Sequence, residues 1–591
     1  MNSSTTDTLL DSGDRSPHIV GSFSDITALL YRTLACTSKF IGNFDFGACL
    51  DILTTQNTIA STIPAALLAM YQGMFAGITP GLFLGAVIGL LPMMVFVTQT
   101  QKRKQTMKYL TLALALAASV MAQNATEPAP LATPDSPLVS ADISWILISS
   151  ALVFLQIPGL GLFYAGLGEA KNSLSVLLSV LLAAGVVMTQ WVLFGYSLAF
   201  SDTSTSNFIG NFKYAALIDT LTTVNPIAGT IPTALFSMYQ MMFAAITPGL
   251  AIGAVAGRMR LLPMMVFVFL WTTIVYDPIA YWTWSGLGWL HVMNVMDYAG
   301  GSVVHVSAGV TGLVLALMSG KRVDYGTRNY ESHNPTYVYM GTILLWFGWM
   351  GFNGGSAVSA STRAVGAAFA TNIAAAAGGM TYMGMEALVN KKRFSAVGFC
   401  AGVVVALVAV TPGSGFIEPG MAILFGFFPA IVCFYAVKMM HYFKVDDALD
   451  VAACHGVGGA FGMILTGIFA QHKVTDIGVT PGSSTAGWVD QVWIQVPVQL
   501  AGIGAVCAWT AGWTAILVLV INLIPGLKMR CHQEAEEMGL DMYEVGESAY
   551  PSYGSVATTT SDVDSDSKAH LSLPKVPSQI TLTNAGNSSM A

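Results

Sequence analysis

The sequence predicts an all-α protein that crosses a membrane many times. Of its 591 residues, 54% are hydrophobic and only 10% are charged, whereas soluble proteins are about 25% charged. Apolar runs of membrane-spanning length follow one another from Asp142 onward. Two of these runs contain a histidine, His305 and His455, each eight residues after an aspartate. A histidine at that depth needs a partner or a cavity, so the pair predicts one site built from two related halves, a plan that transporters use.

Residues 1–106 are predicted to be an anomalous extension that carries a partial duplicate of residues 209–268. Ile41–Ile88 aligns without gaps to Ile209–Ala256, with about 31 of 48 positions identical. The segment 107–123 then has a basic start, a short apolar core and small residues, the pattern of a secretory signal peptide. We interpret residues 1–106 as a duplicated or mis-joined coding segment, with the native chain starting at Met107. The alternative is a genuine extension with one or two additional membrane segments.

Eleven transmembrane helices are predicted within a membrane domain that covers residues 142–523. Each apolar run approaches the roughly 20 residues that a helix needs to cross the hydrocarbon layer. The predicted spans lie near 143–166, 173–200, 229–256, 261–285, 299–319, 335–355, 364–388, 395–411, 418–438, 449–470 and 493–523.

The distribution of lysine and arginine between the loops predicts the orientation. With the first end outside, the inward loops hold eleven of these residues and the outward loops hold three: Lys213, Arg363 and Lys473. Such a bias favours an N-terminus outside and a cytoplasmic C-terminus. Residues 524–591 then form a cytoplasmic tail, whose polar composition after residue 553 predicts disorder. Serines and threonines in this tail are candidate substrates of a kinase.

Three motifs within residues 142–550 resemble the ammonium transporter, methylammonium permease and Rh family. The first runs from Asp297 to His305, the second is GWMGFNGGS from Gly348 to Ser356, and the third runs from Asp446 to Gly459. With histidine at both pore positions, the sequence is similar to the fungal twin-histidine type, which is also implicated in nitrogen sensing. The segment from Gly539 to Tyr550 resembles the regulatory C-terminal region of the family, although Val545 replaces the usual histidine.

This resemblance implies a fold, an assembly and a substrate. The fold is two inverted five-helix repeats plus a final helix. The assembly is a homotrimer in the plasma membrane, surrounded by lipid, with one pore in each subunit. The substrates are ammonium and methylammonium, and the resemblance implies no enzymatic activity, no cofactor and no metal. No basic face points to nucleic acid, and the seven scattered cysteines form no CxxC motif.

The resemblance assigns substrate recruitment to Trp284, Tyr239, Ser356 and Asp297. Indole is the best cation–π face, phenol adds a second face, and a serine hydroxyl accepts a hydrogen bond. The alternative for Trp284 and Tyr239 is an aromatic belt at the membrane interface. Asp297 stands at a helix start, where capping of the helix is the simpler interpretation. The resemblance implies that this carboxylate acts through its structural role and its electric field, without binding the substrate directly.

Phe243 and Phe352 match the stacked phenyl pair that closes the outer pore in the family, and a hydrophobic constriction gates by dewetting. His305 and His455 match its pore histidines. Burial favours neutral imidazole, and two neutral rings facing each other can share one proton and pass another. The alternative is two structural core histidines. Residues 1–106 contain no counterparts of His305, His455 or Trp284, so we expect no second pore there.

Two other functions compete with ammonium uptake. A neutral gas channel of the Rh type would carry ammonia alone, but Trp284 argues against it because a cation–π face serves a charged species. A membrane redox enzyme would use His305 and His455 as haem ligands, yet the chain has no CxxCH motif and no further histidine pair for a second haem.

Overall fold

The computed structural model describes residues 137–550, apart from 328–329, 390–392, 479, 481 and 483. The predictions for the extension 1–106, the signal-like segment 107–123 and disorder after residue 553 lie outside the described residues. Within them, the chain is almost entirely helical, which confirms the predicted polytopic, all-α membrane fold.

A helix occupies each of the eleven predicted spans, and we number these helices α1 to α11. The helices are α1 Ser140–Leu167, α2 Ala170–Phe200, α3 Thr233–Val255, α4 Leu261–Val292, α5 Gly301–Ser319, α6 Pro335–Gly355, α7 Thr362–Val389, α8 Ala396–Val410, α9 Pro419–Tyr442, α10 Ala452–Phe469 and α11 Gln495–Leu523.

Nine of these helices, among the described residues, are long and apolar enough to cross a membrane on composition alone. The other two are α6 and α8. Helix α6 carries the Gly, Asn and Trp residues of the second motif, which lower its mean hydropathy, and α8 is short, with 15 residues. Helix α8 is buried along most of its length, whereas α6 leaves Tyr339, Met340, Ile343 and Phe347 exposed.

Several of the long helices are interrupted by a turn of π-helix, which often marks functional sites. Helices α5 and α10 both start with one, at Gly301–Val306 and Ala452–Val457. Each π turn contains one of the two histidines and follows one of the two aspartates. The same local structure therefore occurs once in each half of the chain, as expected for related halves.

Helices α1 and α6 lie side by side at a separation that only glycine permits. A Cβ atom at Gly341 would come within 2.5 Å of the Phe163 nitrogen and 2.6 Å of the Gly159 oxygen. Small residues let membrane helices approach closely where no hydrophobic drive between them exists. Helix α6, which carries Phe352 and is followed directly by Ser356, is thereby held against α1.

Helices α5 and α10 also touch, at Gly309 and Gly456. A Cβ atom at Gly309 would overlap the backbone of Gly456 and lie 2.9 Å from the carbonyl carbon of His455. Gly309 lies one turn after His305 on α5, so this contact occurs beside both histidines. The close approach of the two glycines fixes the separation of the two imidazole rings.

One end of the helix assembly is closed by a buried ion pair and by the tail, and we call this surface the tail face. Arg258 is fully buried there and lies 3.3 Å from Asp446, which also binds Arg322 at 2.6 Å. Burial lowers the pKa of Arg258 to about 10, against the opposing effect of Asp446, so the guanidinium stays charged at neutral pH. A buried pair of this kind is costly to break because one charge would remain unpaired.

Tail residues 524–550 dock on the same face. The Lys171 ammonium donates to the Glu536 carbonyl at 2.8 Å, and the Asp541 carboxylate accepts from the Ser175 nitrogen at 2.7 Å, at the start of α2. Arg530 pairs with Glu536 at 3.0 Å. Several of the basic residues predicted to face inward are thus gathered where the tail binds.

The Gly309 contact predicts an asymmetry between two glycine substitutions. Gly309→Ala would push α5 away from α10 and should destabilise the protein by about 1–3 kcal/mol, the usual cost of overpacking. At Gly456 a Cβ atom would meet its nearest atom, the Gly309 carbonyl carbon, at 3.5 Å, an ordinary contact, so Gly456→Ala should be tolerated. Thermal unfolding midpoints of the purified variants in detergent test this; equal midpoints for the two would contradict it.

Candidate functional site

Two of the four predicted recruitment residues, Trp284 and Ser356, line a cavity of about 140 Å³, which we call the mouth. It is lined by Ile227, Phe236, Gln240, Phe243, Trp284, Tyr298, Ser356 and Val358. Aromatic rings thus form much of the wall and two polar groups, Gln240 and Ser356, accompany them. Such a cavity suits a small cation that carries several hydrogen-bond donors.

Trp284 lines the mouth with its indole N–H already engaged. The indole nitrogen donates to the backbone oxygen of Asp297 at 2.9 Å. The ring is therefore held in one orientation, with its positive N–H edge directed toward the protein backbone. This arrangement leaves the indole ring, the strongest cation–π surface among side chains, to line the cavity.

Tyr239 lies behind the mouth and does not line it. Its ring is fully buried, and its hydroxyl donates to the Gly351 and Phe352 oxygens at 2.9 and 2.8 Å, near the end of α6. The same hydroxyl lies 3.3 Å from that of Ser356. Tyr239 therefore supports the serine that lines the cavity, whereas the sequence suggested a second aromatic face for the guest.

The Asp297 carboxylate is saturated with hydrogen bonds from the start of α5. One oxygen accepts from the Gly300 and Gly301 nitrogens at 2.8 and 2.6 Å, and the other accepts from the nitrogen and hydroxyl of Ser302 at 2.7 and 2.6 Å. Gly300 has a φ of +116°, in the region that favours glycine. The aspartate thus holds the turn that starts the histidine helix, the capping role expected from its position.

Phe243 and Phe352 lie between the mouth and the interior of the bundle. Their ring centroids are 4.3 Å apart and the rings are inclined by 43°. Phe243 lines the mouth, and Phe352 lines the next cavity inward. The pair therefore separates the two spaces, at the position where the sequence predicted a constriction.

His305 and His455 line the inner cavity together. Their Nδ1 atoms are 3.3 Å apart, within hydrogen-bond distance, and the rings are inclined by 29°. The cavity holds about 10 Å³ of free space, close to the minimum for one water molecule. Apart from the two imidazoles and Tyr164, the wall is apolar, formed by Leu160, Phe163, Ile246, Leu250, Val304, Leu345, Trp349, Phe352 and Val404. The two histidines thus face one narrow passage.

Sequence reasoning missed two residues of this passage. Trp349 stacks on His305 at 5.4 Å, and its indole nitrogen donates to the Thr411 hydroxyl at 2.9 Å. Tyr164 lines the inner end, and its hydroxyl donates to the Leu250 oxygen. The spacing of Trp349, Phe352 and Ser356 places all three on one face of α6, a signal that could have identified the tryptophan.

Among the described residues, no group of three or more His, Cys, Asp or Glu side chains is arranged to hold a metal ion. The polar and aromatic groups that line the mouth and the passage are aromatic rings, hydroxyls, the Gln240 amide and the two imidazoles. Such a set can bind a cation at the mouth and transfer a proton farther in.

Comparisons with known proteins agree with this arrangement. A family model described as Ammonium Transporter Family matches residues 144–550. The chain is 45% identical over 411 residues to ammonium transporter 1 of Schizosaccharomyces pombe, covering 70% of this chain and 82% of that protein. It is 43% identical over 419 residues to ammonium transporter MEP2 of Saccharomyces cerevisiae, covering 69% and 83%.

Solved structures give the same result. The crystal structure of Saccharomyces cerevisiae Mep2 superposes with a TM-score of 0.64 at 39% identity, over 69% of this chain and 94% of that one. Candida albicans Mep2 gives a TM-score of 0.64 at 43% identity, over 67% and 87%.

The saturated Asp297 predicts a stability effect. Asp297→Asn replaces one accepting oxygen by an amide donor that faces backbone N–H groups, and each buried donor left unpaired costs about 1–3 kcal/mol. We expect a clear loss of thermal stability in detergent. Ser302→Ala, which removes one hydroxyl donor and keeps the backbone bonds, should lose only about 1 kcal/mol. An unfolding midpoint for Asp297→Asn no lower than that of Ser302→Ala would contradict the role described.

Proposed function

The chain belongs to the ammonium transporter family, and from this premise we propose that it takes up NH4+ by recruitment, deprotonation and separate passage of ammonia and proton. The observation that carries the proposal is the order of two cavities. An aromatic mouth comes first, and a narrow passage lined by two imidazoles in contact follows, with a phenyl pair between them.

Recruitment uses the properties that distinguish ammonium from other small cations. Ammonium is close to potassium in size, so the fit of the cavity alone does not select it. It carries four N–H donors, for which the Ser356 hydroxyl and the Gln240 amide provide acceptors at the mouth. The Trp284 ring adds a cation–π contact worth about 0.5–2 kcal/mol.

Proton transfer follows from the geometry of the imidazole pair. The Nε2 atom of His305 is buried and has no hydrogen-bond partner among the described residues, so it is the acceptor we assign to the ammonium proton. When that N–H bond forms, the pair can pass a proton across the 3.3 Å between the Nδ1 atoms. His455 then releases a proton from Nε2, and neutral ammonia crosses the apolar passage. The proton and ammonia arrive together on the inner side.

We also propose the assembly and orientation that the resemblance implies: a homotrimer in the plasma membrane, N-terminus outside, with lipid around it. The gathering of Lys171, Arg258, Arg260, Lys321 and Arg322 at the tail face supports a cytoplasmic tail face. The docked segment 524–550 supports regulation of transport through the tail. A kinase acting on the tail and a role in ammonium sensing belong to the same proposal.

Removal of one imidazole tests the pore. His305→Ala should reduce methylammonium uptake by on the order of tenfold or more, since a positioned proton-transfer group contributes about 10²–10⁴-fold. His291→Ala changes an exposed histidine outside both cavities and should leave uptake unchanged. The assay is labelled methylammonium uptake in a yeast strain without its own ammonium permeases, normalised to protein at the surface. Full uptake by His305→Ala would contradict proton transfer through the imidazole pair. If a His305 variant lost ammonium sensing but kept transport, sensing and transport would be shown to be separate roles.

Removal of the indole tests whether the guest is charged. Trp284→Leu should weaken the apparent affinity for ammonium roughly 2- to 30-fold, the equivalent of a cation–π contact. Trp493→Leu, at a highly exposed tryptophan outside the mouth, is the matched control. Electrode recordings in oocytes should show an ammonium-dependent inward current. A wild-type protein that carries ammonia without current would favour a neutral channel of the Rh type.

A further inference from the structure

The two aspartates that precede the histidine helices differ in how many hydrogen bonds they accept. Asp297 accepts bonds at both carboxylate oxygens from several groups of the α5 start, as described above. Asp447 accepts the Ala452 N–H at 2.7 Å with Oδ2, while its Oδ1 has no hydrogen-bond partner among the described residues. The side chain is nevertheless only 5% exposed. One carboxylate is therefore fully occupied, and the other keeps a free accepting atom.

Asp447 lies between the imidazole passage and the tail face. It accepts a bond from the π turn that carries His455, and it lines a cavity of about 860 Å³ on the tail face. Tyr164, which lines the passage with His455, lies within range of the Asp447 charge. The carboxylate is thus situated where a proton leaving the passage would meet the large cavity on the tail face.

The charged groups that act on Asp447 are engaged with other residues. The like charge that acts on Asp447 is that of Asp450, which itself lies 3.5 Å from His441. Arg258, the cation that acts on Asp447, is bound to Asp446. The other charged or titratable groups on this cavity are Lys321, Arg322, Tyr325, Tyr330, Glu331 and Lys444. Burial and then the Asp450 charge raise the pKa of Asp447 to about 6, so the carboxylate is ionised at neutral pH.

We propose that Asp447 accepts the proton that His455 releases and transfers it to the water of the tail-face cavity. The Nε2–H bond of His455 breaks and an O–H bond forms on Asp447 Oδ1, directly or through water. That O–H bond then breaks toward solvent, and the carboxylate is restored. The inference rests on the proposed function, and it assigns different roles to two aspartates at equivalent positions: Asp297 builds the helix start and Asp447 moves the proton.

Currents from giant inside-out membrane patches test this, because the bath then sets the pH on the tail side. The wild-type ammonium current should fall as the tail-side pH drops through about 6, where Asp447 becomes protonated and can no longer accept. Asp447→Asn keeps an oxygen for the Ala452 N–H but cannot titrate. The ammonium current of this variant should be at least about tenfold smaller. Between tail-side pH 7 and pH 5, its current should fall no more than the change in proton gradient alone predicts.

Asp450→Asn provides an independent measurement that leaves Asp447 in place. Removal of the like charge should lower the pKa of Asp447 and move the acid fall to lower pH, by up to about one unit. Asp219→Asn, at an exposed aspartate outside the tail face, should match the wild type in current and in pH profile. Surface protein is measured by biotinylation for every variant.

The outcomes separate the two proposals. A wild-type protein that reaches the surface and gives no ammonium current at any pH overturns the proposed function. A wild-type current with a pH profile that neither Asp447→Asn nor Asp450→Asn changes overturns the role of Asp447. A shift with Asp450→Asn supports that role even if Asp447→Asn fails to reach the surface.

Discussion

The contact between Gly309 and Gly456 is the constraint on which the passage depends. Imidazole rings on neighbouring helices reach 3.3 Å between nitrogens only if the helices themselves nearly touch, and a Cβ atom at Gly309 would hold the backbones apart. Membrane helices gain little from burying apolar surface against each other, since lipid is equally apolar. Close packing of small residues is the attraction that remains. The same residues that hold the halves together therefore bring their histidines into contact.

The mouth and the passage share one support, which makes them a single structural unit. The Asp297 side chain holds the start of α5 and thus the position of His305, while its backbone oxygen holds the Trp284 indole. The Tyr239 hydroxyl holds the end of α6, where Phe352 lies and which Ser356 follows directly. A shift of either support would move a mouth residue together with a passage residue. A few buried hydrogen bonds thereby fix the position of the mouth relative to the passage.

The sequence predicted the number and position of the helices because a bilayer leaves the backbone little choice. Every N–H and C=O group in hydrocarbon must be bonded internally, so an apolar run of sufficient length becomes a helix. The sequence also brought the mouth residues, the phenyl pair and the histidines together, through motifs that resemble those of a known family. The π turns, the Trp349 stack on His305 and the burial of Tyr239 behind the mouth were not foreseen. Each depends on contacts between segments far apart in sequence. Arg258, counted from sequence as a loop charge, proved to be buried for the same reason.

The order of the two cavities follows from the energy needed to move a charge. Burial of an isolated ammonium-like ion in an apolar medium costs tens of kcal/mol, whereas an aromatic face returns about 0.5–2 kcal/mol. The mouth can therefore hold a cation that keeps part of its water, but it cannot carry that cation through a passage with about 10 Å³ of space. In the proposed mechanism the proton is removed first, so the guest that enters the passage is a small neutral molecule that an apolar wall does not oppose. The proton then needs its own route, and we propose that the two imidazoles in contact provide it.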